Sequence, residues 1–171
     1  VFRPTVGELL AGMADGLRQS VLPAVTGGAA QRQLKATLHA LGRLQRSWDR
    51  WPAYLAEDNA DVRRTLESVL PDLQAAAPAS AASLAAIARQ LETQAPGPAV
   101  QVRGVNDPAL AAACVLNEAL HAVLASLEEW LRTPDQGAPA AREHALQILG
   151  ELYGRMAERE LRAWAVQAEN D

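Results

Sequence analysis

Leucine and other apolar residues return at steps of three and four through almost the whole chain. Only an α-helix puts that period on one face. Val6, Leu9, Leu10, Met13, Leu17 and Val21 make the first stripe, and Leu34, Leu38, Leu41, Leu44 and Trp48 the second. Val62, Leu66, Val69 and Leu70 form a third, Leu84, Ile87 and Leu91 a fourth, and two longer helical stretches follow. Alanine inflates the 49% hydrophobic share while aromatics supply only 4%, a balance that favours helix because alanine has the best intrinsic helix propensity. The expected fold is all-α, a bundle of five or six mostly antiparallel helices whose leucine stripes turn inward.

Local signals divide the stripes into helices. Thr5 followed by Glu8 has the spacing of a capping box, in which each side chain satisfies a free backbone N–H at the helix start. Pro23 and the Gly27-Gly28 pair end that first helix, and a second is expected over about 29–48. Pro52 suits a helix start, so residues 51–57 read as a short helical turn. Asp58-Asn59-Ala60-Asp61 offers several capping oxygens for another helix, which Pro71 should kink or end by removing a backbone donor. An alanine-rich helix is expected over about 80–94. Asp107-Pro108 reads as N-cap and first helical residue of a helix reaching about 132. A turn over 133–139 leads to a last helix over about 140–168. The Pro- and Gly-containing stretch 95–106 reads as a linker loop, because a lone strand there would have nothing to pair with.

At 171 residues the chain suits a single helical domain with a real core, any sub-boundary falling in the linker 95–106. Net charge is −4 and the arginines are scattered among acids, which argues against nucleic-acid binding. Cys114 is the sole cysteine, so an internal disulfide is excluded. No secretory signal is visible, and no uninterrupted apolar run approaches the roughly 20 residues that cross a bilayer. A cytoplasmic protein without membrane attachment is expected, and a homo-oligomer is compatible with this composition.

No complete catalytic, metal or phosphate-binding set is present. Glu118 and His121 have the Glu-x-x-His spacing of di-iron bundles, but no second copy exists, and a surface or hydrogen-bonded His121 is the plainer reading. Cys114, Asn117 and His121 share one helix face. That semi-polar stripe suits either a ligand pocket between the C-terminal helices or ordinary packing, and side chains parallel on one helix rarely meet as nucleophile and base. Gly27-Gly28 precedes a helix N-terminus but lacks the P-loop spacing and its Lys-Ser/Thr end. No metal or cofactor is expected. Trp48, Trp51 and Tyr54 cluster at one helix junction, as core plugs or as a contact surface of the kind rich in Trp and Tyr. Trp130 and Trp164 read as bundle packing.

The opening Arg3-Pro4-Thr5-Val6-Gly7-Glu8-Leu9-Leu10, then Val21-Leu22-Pro23-Ala24, a glycine break and a second helix resemble the DUF6285-like family of small bacterial helical proteins. The segment Glu57-Asp58-Asn59-Ala60-Asp61-Val62-Arg63 is similar to one in longer helical relatives. The likeness covers under half the chain. Genes of that family lie beside aminoglycoside-phosphotransferase-like kinases and acyl-CoA dehydrogenases. The resemblance therefore implies a non-catalytic accessory or interaction subunit for a hydroxyacyl-CoA kinase, with phosphorylation performed by another subunit. Candidate partner contacts are Trp48, Trp51, Tyr54, Asp58, Asn59, Asp61 and Arg64, for which capping and core packing is the alternative. A small-molecule-binding helical module using Cys114, Asn117 and His121 is the second functional expectation. An enzyme dependent on metal or on cysteine is the third.

Overall fold

The computed structural model describes residues 4–93, 102, 104–133 and 137–164, the last without its side chain. The fold is all-α. Six α-helices run among the described residues: α1 Val6–Gly16, α2 Gly28–Ser47, α3 Trp51–Ala76, α4 Ala81–Glu92, α5 Pro108–Arg132 and α6 Pro139–Trp164. They fall into two compact units. The first holds α1, α2 and the end of α6 from Glu160. The second runs from Pro52 to Arg159.

In the first unit the capping box forms as the spacing demands. The Glu8 N–H donates to Thr5 Oγ1 at 3.2 Å, and the Thr5 N–H donates to Glu8 Oε2 at 2.7 Å. Beyond Gly16 the helix widens into a π-helical turn over Leu17–Val21 and a 3-10 turn over Leu22–Ala24. Gly27 and Gly28 reverse the chain at φ of 73° and 74°, a conformation that costs a residue with a Cβ.

The first stripe turns inward only at Leu10 and Leu17, which are half-buried. The shielded residues are Gly7, Leu10, Ala11 and Ala14 of α1 and Leu17 just beyond it, whereas Val6, Leu9 and Met13 are 46%, 51% and 58% exposed. The shielded face lies roughly 100° around the helix from Val6, Leu9 and Met13. On α2 Leu38 is buried as expected and Leu34 and Leu41 are half-buried, while Leu44 and Trp48 are exposed.

The second unit carries the main hydrophobic core. Val62, Leu66, Val69, Leu70 and Leu73 of α3 meet Leu84, Ile87 and Leu91 of α4. Leu120, Val123, Leu124, Leu127, Trp130 and Leu131 of α5 and Ala145, Leu149 and Leu152 of α6 complete it. The α3 and α4 stripes read in the sequence are therefore the buried ones, and each fully buried leucine contributes about 1.5–3 kcal/mol. By length and composition α5 could also cross a membrane; here its last three turns are a wall of this core.

Two sequence expectations fail in α3: residues 51–57 are no separate turn, and Asp58, Asn59 and Asp61 cap nothing. Pro71 does not end the helix, which runs on to Ala76. Asp and Asn weaken helix interiors by competing for nearby backbone groups. Here their side chains find partners on other helices instead, and burial of Leu66, Val69, Leu70 and Leu73 holds the segment around the proline in place.

At the start of α5 the Asp107 carboxylate accepts from the Ala109 and Leu110 N–H groups at 2.8 and 3.4 Å, with Pro108 following as the first helical residue. Of the linker, Val102 and Val105 form an isolated bridge around Gly104. Residues 95–101 and 103 lie outside the described residues, as do 134–136 of the expected turn, the chain beyond 164 and the Trp164 side chain.

The end of α5 is closed by Arg142 of α6. Its guanidinium donates to the carbonyls of Leu131 and Thr133 and lies 5.9 Å from the Trp130 ring centroid. Those carbonyls belong to the helix end that lacks intrahelical donors. Arg142→Ala is expected to lower stability in urea by about 1–3 kcal/mol, and Arg142→Lys should recover little because it lacks the planar fork. An unchanged unfolding midpoint for the alanine variant would remove this role.

Candidate functional site

At one end of the second unit the apolar stripes turn polar. On α3 Asp58, Asp61 and Thr65 continue the line of Val62, Leu66 and Val69. On α5 Asn117 and His121 continue that of Leu120 and Leu124, and on α6 Arg155 and Arg159 that of Leu149 and Leu152. Helical spacing of three or four residues within each pair turns both members of a pair the same way. The three helices thus converge on one polar layer.

Asp58 is its centre, with 1% of its surface exposed. Its Oδ2 accepts from Asn117 Nδ2 at 2.8 Å and lies 2.9 Å from His121 Nε2, while Oδ1 accepts from Arg159 Nη2 at 3.0 Å. Asp61 takes Arg155 through two nitrogens, Nε to Oδ2 at 3.0 Å and Nη2 to Oδ1 at 3.1 Å, and Arg159 Nη1 to Oδ2 at 3.1 Å. Asn59 completes the layer. Its Nδ2 donates to the Ala113 carbonyl at 3.0 Å and its Oδ1 accepts from Asn117 at 2.9 Å. Pairing Asp58 with Arg159 but Asp61 and Thr65 with Arg155 makes α3 and α6 antiparallel.

Burial alone would push the Asp58 carboxyl up. Hydrogen bonds from His121, Asn117 and Arg159, with the charge of His121, outweigh it and hold the group below its ordinary value. Asp61 behaves alike, burial raising it and the hydrogen bonds and charges of Arg155 and Arg159 bringing it down. Hydrogen bonding to Asp61 in turn raises Arg155. Both carboxylates are therefore ionised in the folded protein at neutral pH. Two arginines match them, which is what makes burying the charges tolerable.

The sequence-derived residues are distributed unevenly over this arrangement. Asp58, Asn59 and Asp61 are interior and bonded within the chain, so none offers a partner more than a sliver of surface. Arg64 is exposed, 3.9 Å from Asp61. Trp48 is 41% exposed, and its Nε1 would lie 3.4 Å from a Cβ on Gly7. Trp51 and Tyr54 are half-buried. Asn117 and His121 are brought together, but onto Asp58 and Asn59. Cys114 is half-buried one helical turn before Asn117, and Glu118 is exposed. The open concavity beside the layer, about 580 Å3, is lined by Glu57, Ala60, Asp61, Arg64, Arg155 and Arg159. These residues belong to α3 and α6, so the α5 trio does not frame it.

Arg155, Arg159 and Thr65 were not singled out in the sequence. Their signal was positional: polar or charged residues in register with an apolar stripe. Chemically the layer resembles a clamp more than a reaction centre. His121 is 36% exposed at its side chain with Nε2 on a carboxylate, which fixes its orientation as in a base–carboxylate pair. Every remaining acid and base of the layer is engaged by another. Among the described residues no three His, Cys, Asp or Glu side chains are grouped to hold a metal ion. The chain matches no protein-family model, and no curated protein or solved structure matches it.

Proposed function

We propose that this protein is a non-catalytic interaction subunit whose first helix docks on a protein partner. One observation carries the reading. Three large apolar residues of α1, Val6, Leu9 and Met13, are exposed while Leu10 is half-buried, and Leu44 of α2 and Trp48 just beyond it are also uncovered. Apolar residues repeated along one helix face are the usual anchors of helix-mediated recognition, and an exposed Trp and Met suit such a surface. The resemblance of this same N-terminal region suggests an aminoglycoside-phosphotransferase-like kinase of an acyl-CoA pathway as the partner.

The second unit supports this role as a scaffold. Its polar layer ties α3, α5 and α6 in one register, and its charges are neutralised internally rather than presented to a substrate. The reading predicts a gene for such a kinase beside this one, and co-expression of the two should yield a complex that survives gel filtration. Leu9→Glu with Met13→Glu should weaken that complex at least 100-fold, about 2.7 kcal/mol, and leave the melting temperature of the isolated chain within a few degrees because both side chains are already exposed. Absence of a complex, or one indifferent to both substitutions, would overturn the proposal.

A further inference from the structure

In the first unit a second concavity of about 370 Å3 opens between α1 and α2, floored by Ala14 and Leu38. Its polar lining is unbalanced. Arg18, Lys35 and Arg46 contribute three positive charges, and Asp15 is the lone carboxylate. Asp15 is already committed, accepting from Arg18 Nη1 at 3.0 Å. Lys35 and Arg46 have no ion pair or side-chain hydrogen bond among the described residues, and the Arg46 Nε is buried without an acceptor. A buried donor left unmatched is uncommon enough to require an explanation.

Gly42 and Arg46 both line the α2 side of the groove. Gly42 lies one turn before Arg46, and a Cβ there would come 3.5 Å from Arg46 Nη1, so the guanidinium is folded back along α2 over the glycine. Glycine inside a helix is disfavoured relative to alanine, and here its bare face is part of the groove wall. His39 lies one turn after Lys35 on the same lining. The chain as a whole carries a net charge of −4, so this concentration of uncompensated cations runs against its overall sign.

We propose that the groove binds a small molecule through a dianionic oxygen group, of the phosphate-monoester class, with Lys35 and Arg46 as its two countercharges. A phosphate monoester carries close to two negative charges at neutral pH and several strong acceptor oxygens. Arginine offers it a planar fork and lysine a point charge. The apolar floor accommodates a short organic body, and the volume is at the lower end for small-molecule sites. The site is distinct from the exposed α1 stripe and does not depend on the partner proposed above.

The test is a titration of the full chain with inorganic phosphate and with glycerol phosphate, at constant ionic strength held by sodium chloride, followed by amide chemical shifts. Saturable shifts are expected in residues 11–18 and 35–46, with affinity falling as salt is raised. Lys35→Gln and Arg46→Gln should each weaken binding at least tenfold. Arg32→Gln, on the same helix but outside the groove, should leave it unchanged, and circular dichroism of all three variants verifies the fold. Shifts that never saturate, or an equal loss in Arg32→Gln, would mean diffuse attraction to a basic helix and would overturn the proposal. Saturation by glycerol phosphate but not by phosphate still supports the site and shows that the apolar floor contributes.

Discussion

Asp58→Ala is expected to cost about 3–5 kcal/mol of folding free energy, because it leaves the Arg159 guanidinium buried with half its countercharge gone. It also strips Asn117 and His121 of their shared acceptor. Against a typical total of about 5–15 kcal/mol, such a loss corresponds to a fall in Tm on the order of 10 °C. The diagnostic comparison is a cycle of Asp58→Leu, Arg159→Met and the double variant Asp58→Leu, Arg159→Met. Removing both charges together leaves Asp61 still clasped by Arg155 and replaces an ion pair with apolar volume, a change that is frequently neutral. The double variant should therefore lose much less than the two single losses combined. Strict additivity in urea unfolding would show that Asp58 and Arg159 are not energetically coupled, and the clamp account would fail.

Acid should destabilise the protein through the same two carboxylates. Asp58 and Asp61 both titrate below their ordinary value when folded, whereas in the unfolded chain each returns to about 3.9. Between the folded and unfolded values the unfolded state binds more protons, so stability rises with pH there. The contribution is fully present above about pH 5 and is lost as pH falls through the lower folded values. Urea unfolding from pH 7 to pH 2 should show a plateau and then a steep decline beginning near pH 4. Asp58→Asn should have lower stability at pH 7 and a shallower decline, since one of the two responsible groups no longer titrates. An acid limb of unchanged depth in that variant would assign the effect to other groups.

The sequence displayed the helices better than it displayed their faces. Thr5, Glu8, Asp107 and Pro108 mark helix starts through local hydrogen bonds and a locked φ, chemistry complete within a few residues. The stripes of α3 and α4 were equally legible, because Leu66, Val69, Leu84 and Ile87 are apolar on one side alone. On α1 the large side chains Val6, Leu9 and Met13 dominated the pattern, yet they are exposed, and Gly7, Ala11 and Ala14 join Leu10 on the shielded face. Hydrophobicity ranks side chains by transfer energy, while helix pairing also rewards small residues that let backbones come near.

The polar layer was missed for a related reason. Asp58, Asn59 and Asp61 are the residue types that cap helices, and their local chemistry favours an end at that point. Their partners Asn117, His121, Arg155 and Arg159 lie between 58 and 101 residues further along the chain, beyond the reach of any local pattern. The only trace was polar residues in register with leucine stripes on three separate helices.

Residue order by itself settled the secondary structure class, most helix limits and the α3 and α4 faces of the larger core, since each follows from period, propensity and capping over a turn or two. Folding in three dimensions alone decided that α3 is continuous through Asp58 and Pro71, that its acids are interior, and that the large apolar side of α1 is left uncovered. These outcomes depend on which distant groups arrive to satisfy a charge or shield a surface, and that energy exists only once the helices have met.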